Sequence, residues 1–159
     1  MSLLINNAGI ATGADLLTSP LEEIRTDLET HLFGTLRVIR PFTPIIQGQG
    51  PIVNILSVLS WAATAAGSGS YSVAKAAERN MTNGLRVELD GRNILVQGVH
   101  LGAADTDMMA GVDGLKIHPA DVAKASLLGV EAGAFEVLVD DPSRFVKAAL
   151  AGDPAQLYG

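Results

Sequence analysis

Three side chains in the middle of the chain have the types and spacing of a proton-transfer site. Tyr71 and Lys75 stand four positions apart, so on a helix both project from one face and can converge on one ligand. An ammonium beside a phenol stabilises the phenolate and so lowers the tyrosine pKa from its ordinary value near ~10. Ser57 comes fourteen positions before Tyr71, and its hydroxyl could hold a substrate oxygen. The pattern predicts acid-base catalysis by Ser57, Tyr71 and Lys75.

The elements around these residues matter, because a tyrosine four positions before a lysine is more often a surface pair with no catalytic duty. Short runs rich in Ile and Val alternate with longer segments of helical periodicity, which predicts an α/β fold with a parallel sheet covered on both faces. The predicted strands are Leu3–Asn6, Ile52–Leu56, Ile94–His100 and Phe135–Val139. Ligand groups in such sheets lie beyond the carboxyl ends of the strands, where Ser57 stands.

Four helices are expected around these strands. The first begins at a Ser19-Pro20-Leu21-Glu22 capping box and should kink or end near Pro41. The second and third run from Tyr71 to Leu89 and from Pro119 to Glu131. The fourth has an N-cap at Asp141 and continues to about Leu150. The second should stop at Asp90-Gly91, where glycine takes the left-handed cap conformation, and Gly152-Asp153-Pro154 indicates a loose tail. With no repeat or linker, residues 1–159 are predicted to form a single domain.

Composition excludes several classes of function. The net charge of −6 disfavours nucleic acid as a partner, and the absence of cysteine removes disulfides and thiolate metal sites, which suits a reducing cytoplasm. His31, His100 and His118 have no metal-ligand spacing, so no metal site is expected. No stretch approaches the ~20 apolar residues of a membrane helix. We therefore expect a cytoplasmic protein that binds neither nucleic acid nor membrane.

Several motifs occur in an order and spacing that closely resemble the short-chain dehydrogenase/reductase family. They are Asn6-Asn7-Ala8-Gly9, Ile52-Val53-Asn54-Ile55-Leu56-Ser57, Tyr71-Ser72-Val73-Ala74-Lys75, and Gly102 with Asp105-Thr106-Asp107-Met108. The resemblance runs from Leu3 to about Leu150. It implies a Rossmann-like sheet and an oxidoreductase that interconverts a carbonyl and an alcohol by hydride transfer with NAD or NADP.

The resemblance also implies a role for each matched residue. Tyr71 exchanges a proton with the substrate oxygen, Ser57 polarises that oxygen, and Lys75 binds the nicotinamide ribose and lowers the tyrosine pKa. The residues implied to bind the cofactor, besides Lys75, are Asn7, Ala8, Gly9, Gly102 and Thr106. An Asn-Ala-Gly segment is also a good strand-ending turn, which is the alternative explanation of that motif.

The family's phosphate-binding loop is not found in this sequence. The family opens with a strand and a Gly-rich turn into a helix, whose amides bind the pyrophosphate. Gly48-Gln49-Gly50 and Gly67-Ser68-Gly69 lack that strand-turn-helix setting, so both are expected to be flexible loops. We therefore expect a truncated sheet of about four strands, corresponding to family strands four to seven. The choice between NAD and NADP depends on a residue that would also lie upstream.

Two substitutions fall within the expected site. His31 stands where the family usually has an asparagine that supports a water chain to the lysine. Imidazole could replace that amide in part, although a protonated ring would repel Lys75; alternatively, His31 is a helix residue with no catalytic duty. Leu101 replaces the usual proline before Gly102, which frees a backbone angle, adds an amide donor and suggests a looser site.

Two features suggest a homo-oligomer. The strand Leu3–Asn6 becomes an edge although its residues are those of a buried strand, and apolar edges invite pairing. Ala74, Ala77 and Gly84 would let a second helix approach closely, although core packing explains the same pattern. Two functions stay open: an NAD(P)-dependent oxidoreductase for a small-molecule carbonyl or alcohol, and a non-catalytic, self-associating fragment that cannot bind cofactor on its own.

Overall fold

The centre of the fold is a sheet of four parallel strands. The computed structural model describes residues 3–46, 50–64 and 66–158, so Gly48 and Gln49 of one predicted loop lie outside the described residues. The strands are β1 (Leu4–Asn6), β2 (Ile52–Ile55), β3 (Val96–His100) and β4 (Glu136–Leu138), hydrogen-bonded in that order. The α/β, Rossmann-like class with about four parallel strands is thus confirmed, with each strand beginning or ending within two residues of its predicted bounds.

Apolar side chains cover the sheet on both faces because successive residues of a strand point in opposite directions. Ile52 of β2 packs into a cluster on one face, with the other members Ile39, Ile46, Leu85, Leu89, Ile94 and Val96. Val53 packs on the opposite face with Val99, Leu101 and Val122. Both β2 residues are fully buried, as expected of a strand inside a parallel sheet.

Helices connect and flank the strands. They are α1 (Leu21–Leu28), α2 (Thr35–Phe42), α3 (Gly69–Leu89), α4 (Pro119–Glu131), α5 (Asp141–Ala149) and α6 (Ala155–Tyr158). A π-helical segment, Glu29–Gly34, joins α1 to α2, so the first predicted helix is continuous and ends one residue beyond Pro41. Short 3-10 turns lie at Thr43–Ile45, Val58–Ser60, Asp90–Arg92 and Asp107–Met109. Within the described ranges, none of the helices combines the length and apolar composition needed to cross a bilayer.

Three predicted helix caps are wrong, although α3 ends at Leu89 as predicted. Ser19 does not cap α1, because extended Pro20 is the N-cap residue and the Ser19 hydroxyl instead accepts from the Asp15 amide at 3.0 Å. The 3-10 turn Asp90–Arg92 prolongs α3, so that Asn93, with φ of 54°, takes the left-handed conformation predicted for Gly91. Asp140, one residue before the predicted cap, is the N-cap residue of α5, and its carboxylate accepts from the Ser143 amide at 3.0 Å.

The predicted loose tail also differs from the structure. Residues Ala155–Tyr158 form the short helix α6, which begins after the Asp153 carboxylate accepts from the Ala155 amide at 2.9 Å. An aspartate followed by proline is a good helix start, so Asp153-Pro154 begins a helical turn here.

Candidate active site

The structure brings Ser57, Tyr71 and Lys75 together at the carboxyl end of β2. Ser57 begins the 3-10 turn Val58–Ser60, and its hydroxyl accepts from the Leu59 amide at 3.1 Å. Tyr71 and Lys75 lie in the first turns of α3, on the face that packs against this turn. Lys75 Nζ donates to the Ile55 carbonyl at 2.8 Å and lies 5.8 Å from the centre of the Tyr71 ring. The helical spacing therefore produces the predicted convergence.

Lys75 is a buried cation with a buried carboxylate as its partner. Its side chain is 6% exposed, and Nζ donates to Glu78 Oε2 at 2.8 Å; the Glu78 side chain is itself 3% exposed. The second carboxylate oxygen, Oε1, accepts from the Thr35 hydroxyl at 3.4 Å. Glu78 is not among the site residues predicted from the sequence, although a spacing of three residues on a helix predicts its contact with Lys75.

His31 lies in the π-helical segment and faces the same buried group. Its Nε2 is 2.7 Å from the Ile10 carbonyl, whereas its Nδ1 is 3.7 Å from Glu78 Oε2 and has no hydrogen-bond partner among the described residues. The ring meets Tyr71 edge-on, with 5.2 Å between centres. Burial, followed by the nearby charge of Lys75, lowers the pKa of His31, so the ring is neutral at neutral pH.

The acidity of Tyr71 departs from the expectation based on Lys75. Burial, and after it the negative charge of Glu78, raises the pKa of Tyr71 to about 12, while hydrogen bonding by Ser57 acts in the opposite direction. The predicted lowering of the Tyr71 pKa by Lys75 is therefore wrong, because burial of the phenol and then the charge of Glu78 outweigh it. Tyr71 is a protonated phenol at neutral pH.

The residues expected to line a cofactor fall into separate groups. Asn7 and Thr106 line one largely apolar cavity of about 300 Å³, together with Ile55 and Leu101. Asn7 and Ala8 are exposed.

Gly9 and Gly102 are each engaged by a neighbouring side chain. A Cβ added to Gly9 would stand 2.8 Å from His31 Cε1, so this glycine lies directly against the imidazole ring. The Gly102 amide donates to Asp140 Oδ2 at 2.7 Å. Of the predicted cofactor residues, Asn7 and Thr106 share a cavity while Gly9 borders His31.

Leu101, which stands where the family usually has proline, is buried and packed in the structure. Its side chain is 7% exposed and belongs to the apolar cluster of Val53, Val99 and Val122. Its carbonyl accepts from the Val58 amide at 2.8 Å, directly after Ser57. Packing of the side chain thus holds the backbone that a proline ring would otherwise constrain.

Comparison with known proteins decides the family. A family model described as short chain dehydrogenase matches residues 1–114. The chain belongs to the short chain dehydrogenase family.

Two curated relatives resemble the chain over most of its length. Carbonyl reductase family member 4 of Danio rerio is 34% identical over 142 residues, which cover 82% of this chain and 60% of that protein. An oxidoreductase of Staphylococcus saprophyticus is 28% identical over 136 residues, covering 82% of this chain and 58% of the relative. The chain thus spans somewhat more than half the length of these two curated relatives.

A solved structure matches the whole chain. It is a short chain dehydrogenase from Burkholderia cenocepacia in complex with NADP, with a TM-score of 0.93 and 34% sequence identity, and the match covers 100% of this chain and 71% of that one. The four-stranded fold is therefore that of a short chain dehydrogenase.

A further buried histidine supports the segment that carries Ser57 in this short chain dehydrogenase. His100 ends β3, and its Nδ1 lies 3.3 Å from both the Ser57 carbonyl and the Ser60 hydroxyl. The ring stacks on Trp61 with 3.8 Å between centres. The sequence does not reveal that His100 supports the Ser57 segment. This role arises because β2 and β3 are neighbours in the sheet, so that the ends of the two strands meet.

The pH dependence of stability should reveal His100. Burial lowers the pKa of His100 to about 4, from an ordinary value of 6.5, so between these values the unfolded chain binds a proton that the folded chain does not. The contribution of neutral His100 to the free energy of unfolding is therefore expected to be fully present above about pH 6.5. It should decrease by up to roughly 3 kcal/mol as the pH falls to about 4. Urea midpoints measured across this range will check the slope.

The matched variants for this prediction are His100→Asn and His118→Asn. His118 is an exposed N-cap of α4, and asparagine is a good N-cap residue. The acid-side slope should decrease in His100→Asn, with a remainder due to buried His31, and should persist in His118→Asn. An unchanged slope in His100→Asn would show that His100 titrates normally in the folded chain.

Proposed function

We propose that the chain carries the proton-transfer site of an NAD(P)-dependent oxidoreductase that interconverts a carbonyl and an alcohol on a small molecule. The observation that supports this most strongly is the convergence of Ser57, Tyr71 and Lys75 at the carboxyl end of β2. Membership of the short chain dehydrogenase family supports oxidoreductase chemistry at this site. Neighbours solved with NADP or with NAD support a nicotinamide dinucleotide without deciding between the two.

The chain's own residues fit such a cofactor in two respects. Lys75 Nζ uses two hydrogens on Ile55 and Glu78, which leaves one for a ribose hydroxyl. Asn7 and Thr106 face a cavity of about 300 Å³ at the same end of the sheet. The cofactor would supply or accept the hydride, and these residues would hold it.

Tyr71 and Ser57 would act on the substrate oxygen. The Ser57 hydroxyl donates a hydrogen bond that polarises a carbonyl, and Tyr71 delivers its proton to the oxygen as negative charge develops there. A pKa of about 12 keeps Tyr71 protonated, which suits the direction of reduction. In the reverse direction, Tyr71 would first have to lose that proton.

A nucleotide titration tests this proposal. NADH and NADPH are added separately to the purified chain, and binding is followed by nicotinamide fluorescence and by calorimetry. The control variant is Lys75→Gln combined with Glu78→Gln, because removing Lys75 alone would leave a buried carboxylate unpaired. We expect saturable binding that weakens at least about tenfold in the double variant, which corresponds to about 1.4 kcal/mol. Equal binding by a folded double variant would place the nucleotide away from Lys75.

The alternative function is a non-catalytic, self-associating chain. One observation favours it: β1 pairs only with β2 within the described structure, and Ile5 on β1 is 47% exposed. Absence of binding at millimolar nucleotide, together with a sedimentation coefficient that rises with protein concentration, would favour this alternative. Self-association together with nucleotide binding would instead support an oligomeric oxidoreductase.

A further inference from the structure

Glu78 lies between a cation and an imidazole behind the candidate proton donor. Its Oε2 accepts from Lys75 Nζ at 2.8 Å and faces His31 Nδ1 at 3.7 Å. Glu78, Lys75 and His31 are 2%, 5% and 1% exposed, so water screens their charges poorly. None of the roles proposed above for Ser57, Tyr71 and Lys75 uses Glu78.

Hydrogen-bonding geometry defines the protons in this cluster. The Ile10 carbonyl can only accept, so His31 Nε2 carries the hydrogen of that 2.7 Å contact. The Nδ1 atom of the neutral ring then carries a lone pair and no hydrogen, and it lies 3.7 Å from Glu78 Oε2. Glu78 therefore obtains its charge compensation from Lys75 and not from His31.

Other charged groups near Glu78 leave this pairing intact. Lys75 and Tyr71 face it from α3 and His31 faces it from the π-helical segment, while the charge of Asp27 on α1 acts on His31 and Tyr71. Asp27 is already satisfied by the hydroxyls of Thr12 and Ser70, at 2.8 and 2.6 Å. The groups that contact the Lys75–Glu78 pair from β2 and α2 are neutral. They are the Ile55 carbonyl, which accepts from Lys75, and the Thr35 hydroxyl, which donates to Glu78.

We propose that Glu78 is a positioning residue that neutralises Lys75 and thereby, in addition to burial, keeps Tyr71 protonated, biasing the site towards proton donation. The geometry supports this because Lys75 lies 5.8 Å from the Tyr71 ring and would otherwise stabilise the phenolate. The direction of the Tyr71 pKa shift agrees, since Glu78 is its second cause after burial. The catalytic consequence rests on the proposed function, whereas the effect on Tyr71 acidity does not.

The test measures the ionisation of Tyr71 by the ultraviolet absorbance of its phenolate. The chain has two tyrosines, so a Tyr158→Phe background leaves Tyr71 as the only one. In that background, Glu78→Gln keeps the size and an acceptor for Lys75 but removes the charge. Glu88→Gln is the matched control, since Glu88 lies on the exposed side of the same helix. Circular dichroism at each pH separates ionisation from unfolding.

We expect the Tyr71 midpoint to fall by at least about one pH unit in Glu78→Gln and to stay unchanged in Glu88→Gln. The Lys75→Gln/Glu78→Gln double variant removes both charges. Its Tyr71 midpoint should lie within about half a pH unit of the midpoint measured with Lys75 and Glu78 intact. A midpoint in folded Glu78→Gln that is unchanged or raised would overturn the proposal. If Glu78→Gln does not fold, Lys75→Gln serves instead: it leaves Glu78 unopposed and must raise the midpoint, and a fall would overturn the proposal.

These measurements need no nucleotide, so they distinguish this proposal from the proposed function. Failure to bind NADH or NADPH leaves the Tyr71 result standing, and normal binding with an unmoved Tyr71 midpoint rejects the role of Glu78 alone. If the chain turns over a substrate, Glu78→Gln should increase the ratio of alcohol oxidation to carbonyl reduction at neutral pH. Glu88→Gln should leave that ratio unchanged.

Discussion

Replacing Lys75 by methionine is expected to lower the free energy of unfolding by about 3–5 kcal/mol. Methionine preserves most of the apolar stem, so the loss comes from the charge. Glu78 would be left buried without its cation and would have to take up a proton or admit water. Urea denaturation at neutral pH, analysed with the denaturant dependence of the free energy, measures the loss.

A double-mutant cycle distinguishes this electrostatic cause from lost packing. Glu78→Gln alone leaves Lys75 buried without a counter-charge, whereas Lys75→Met with Glu78→Gln removes both charges. The double variant should therefore be more stable than the sum of the single changes predicts, by at least about 1 kcal/mol of coupling. Strict additivity would mean that the two side chains do not stabilise each other.

Replacing Asp27 by alanine should cost about 3 kcal/mol of stability. The carboxylate is fully buried and accepts from the Thr12 amide at 3.2 Å, the Thr12 hydroxyl at 2.8 Å and the Ser70 hydroxyl at 2.6 Å. Alanine would leave these buried donors without an acceptor, and hydrogen bonds to a charged group are worth about 1.5–3 kcal/mol each before water re-enters. The loop after β1 and the start of α3 would lose the side chain that bonds to both of them.

Chemical denaturation together with amide hydrogen exchange will measure the effect of Asp27→Ala. Protection should decrease most around Thr12 and in the first turn of α3, which contains Tyr71. Asp113→Ala serves as the control because Asp113 is exposed, and it should change stability by less than about 0.5 kcal/mol. A cost below about 1 kcal/mol for Asp27→Ala would show that solvent replaces the carboxylate freely.

Much of the fold was predictable because it depends on periodicity. Ile52 and Val53 pack into apolar clusters on opposite faces of the sheet, and the short apolar run that predicts such a buried strand is visible in the residue types alone. The convergence of Ser57 with Tyr71 and Lys75 was also predictable, since it needs only a parallel strand and one helical turn.

Features that depend on one contact from a distant segment were not predictable in the same way. The protonated nitrogen of His31 follows from the Ile10 carbonyl, and the π-helical segment Glu29–Gly34 has no residue signature that marks it. Helix ends such as Asn93 depend on single hydrogen bonds in competing turns. Glu78 lies between these cases, because its spacing predicts the contact with Lys75 but not its burial.

The contact between Gly9 and His31 limits how this chain can change by mutation. A methyl group at position 9 would stand 2.8 Å from an imidazole that is fixed by the Ile10 carbonyl and enclosed on all sides. Position 9 is therefore restricted to glycine for as long as position 31 is histidine. A smaller side chain at 31 would lift that restriction, so among close homologues these two positions should vary together and larger residues at 9 should occur only where 31 is small.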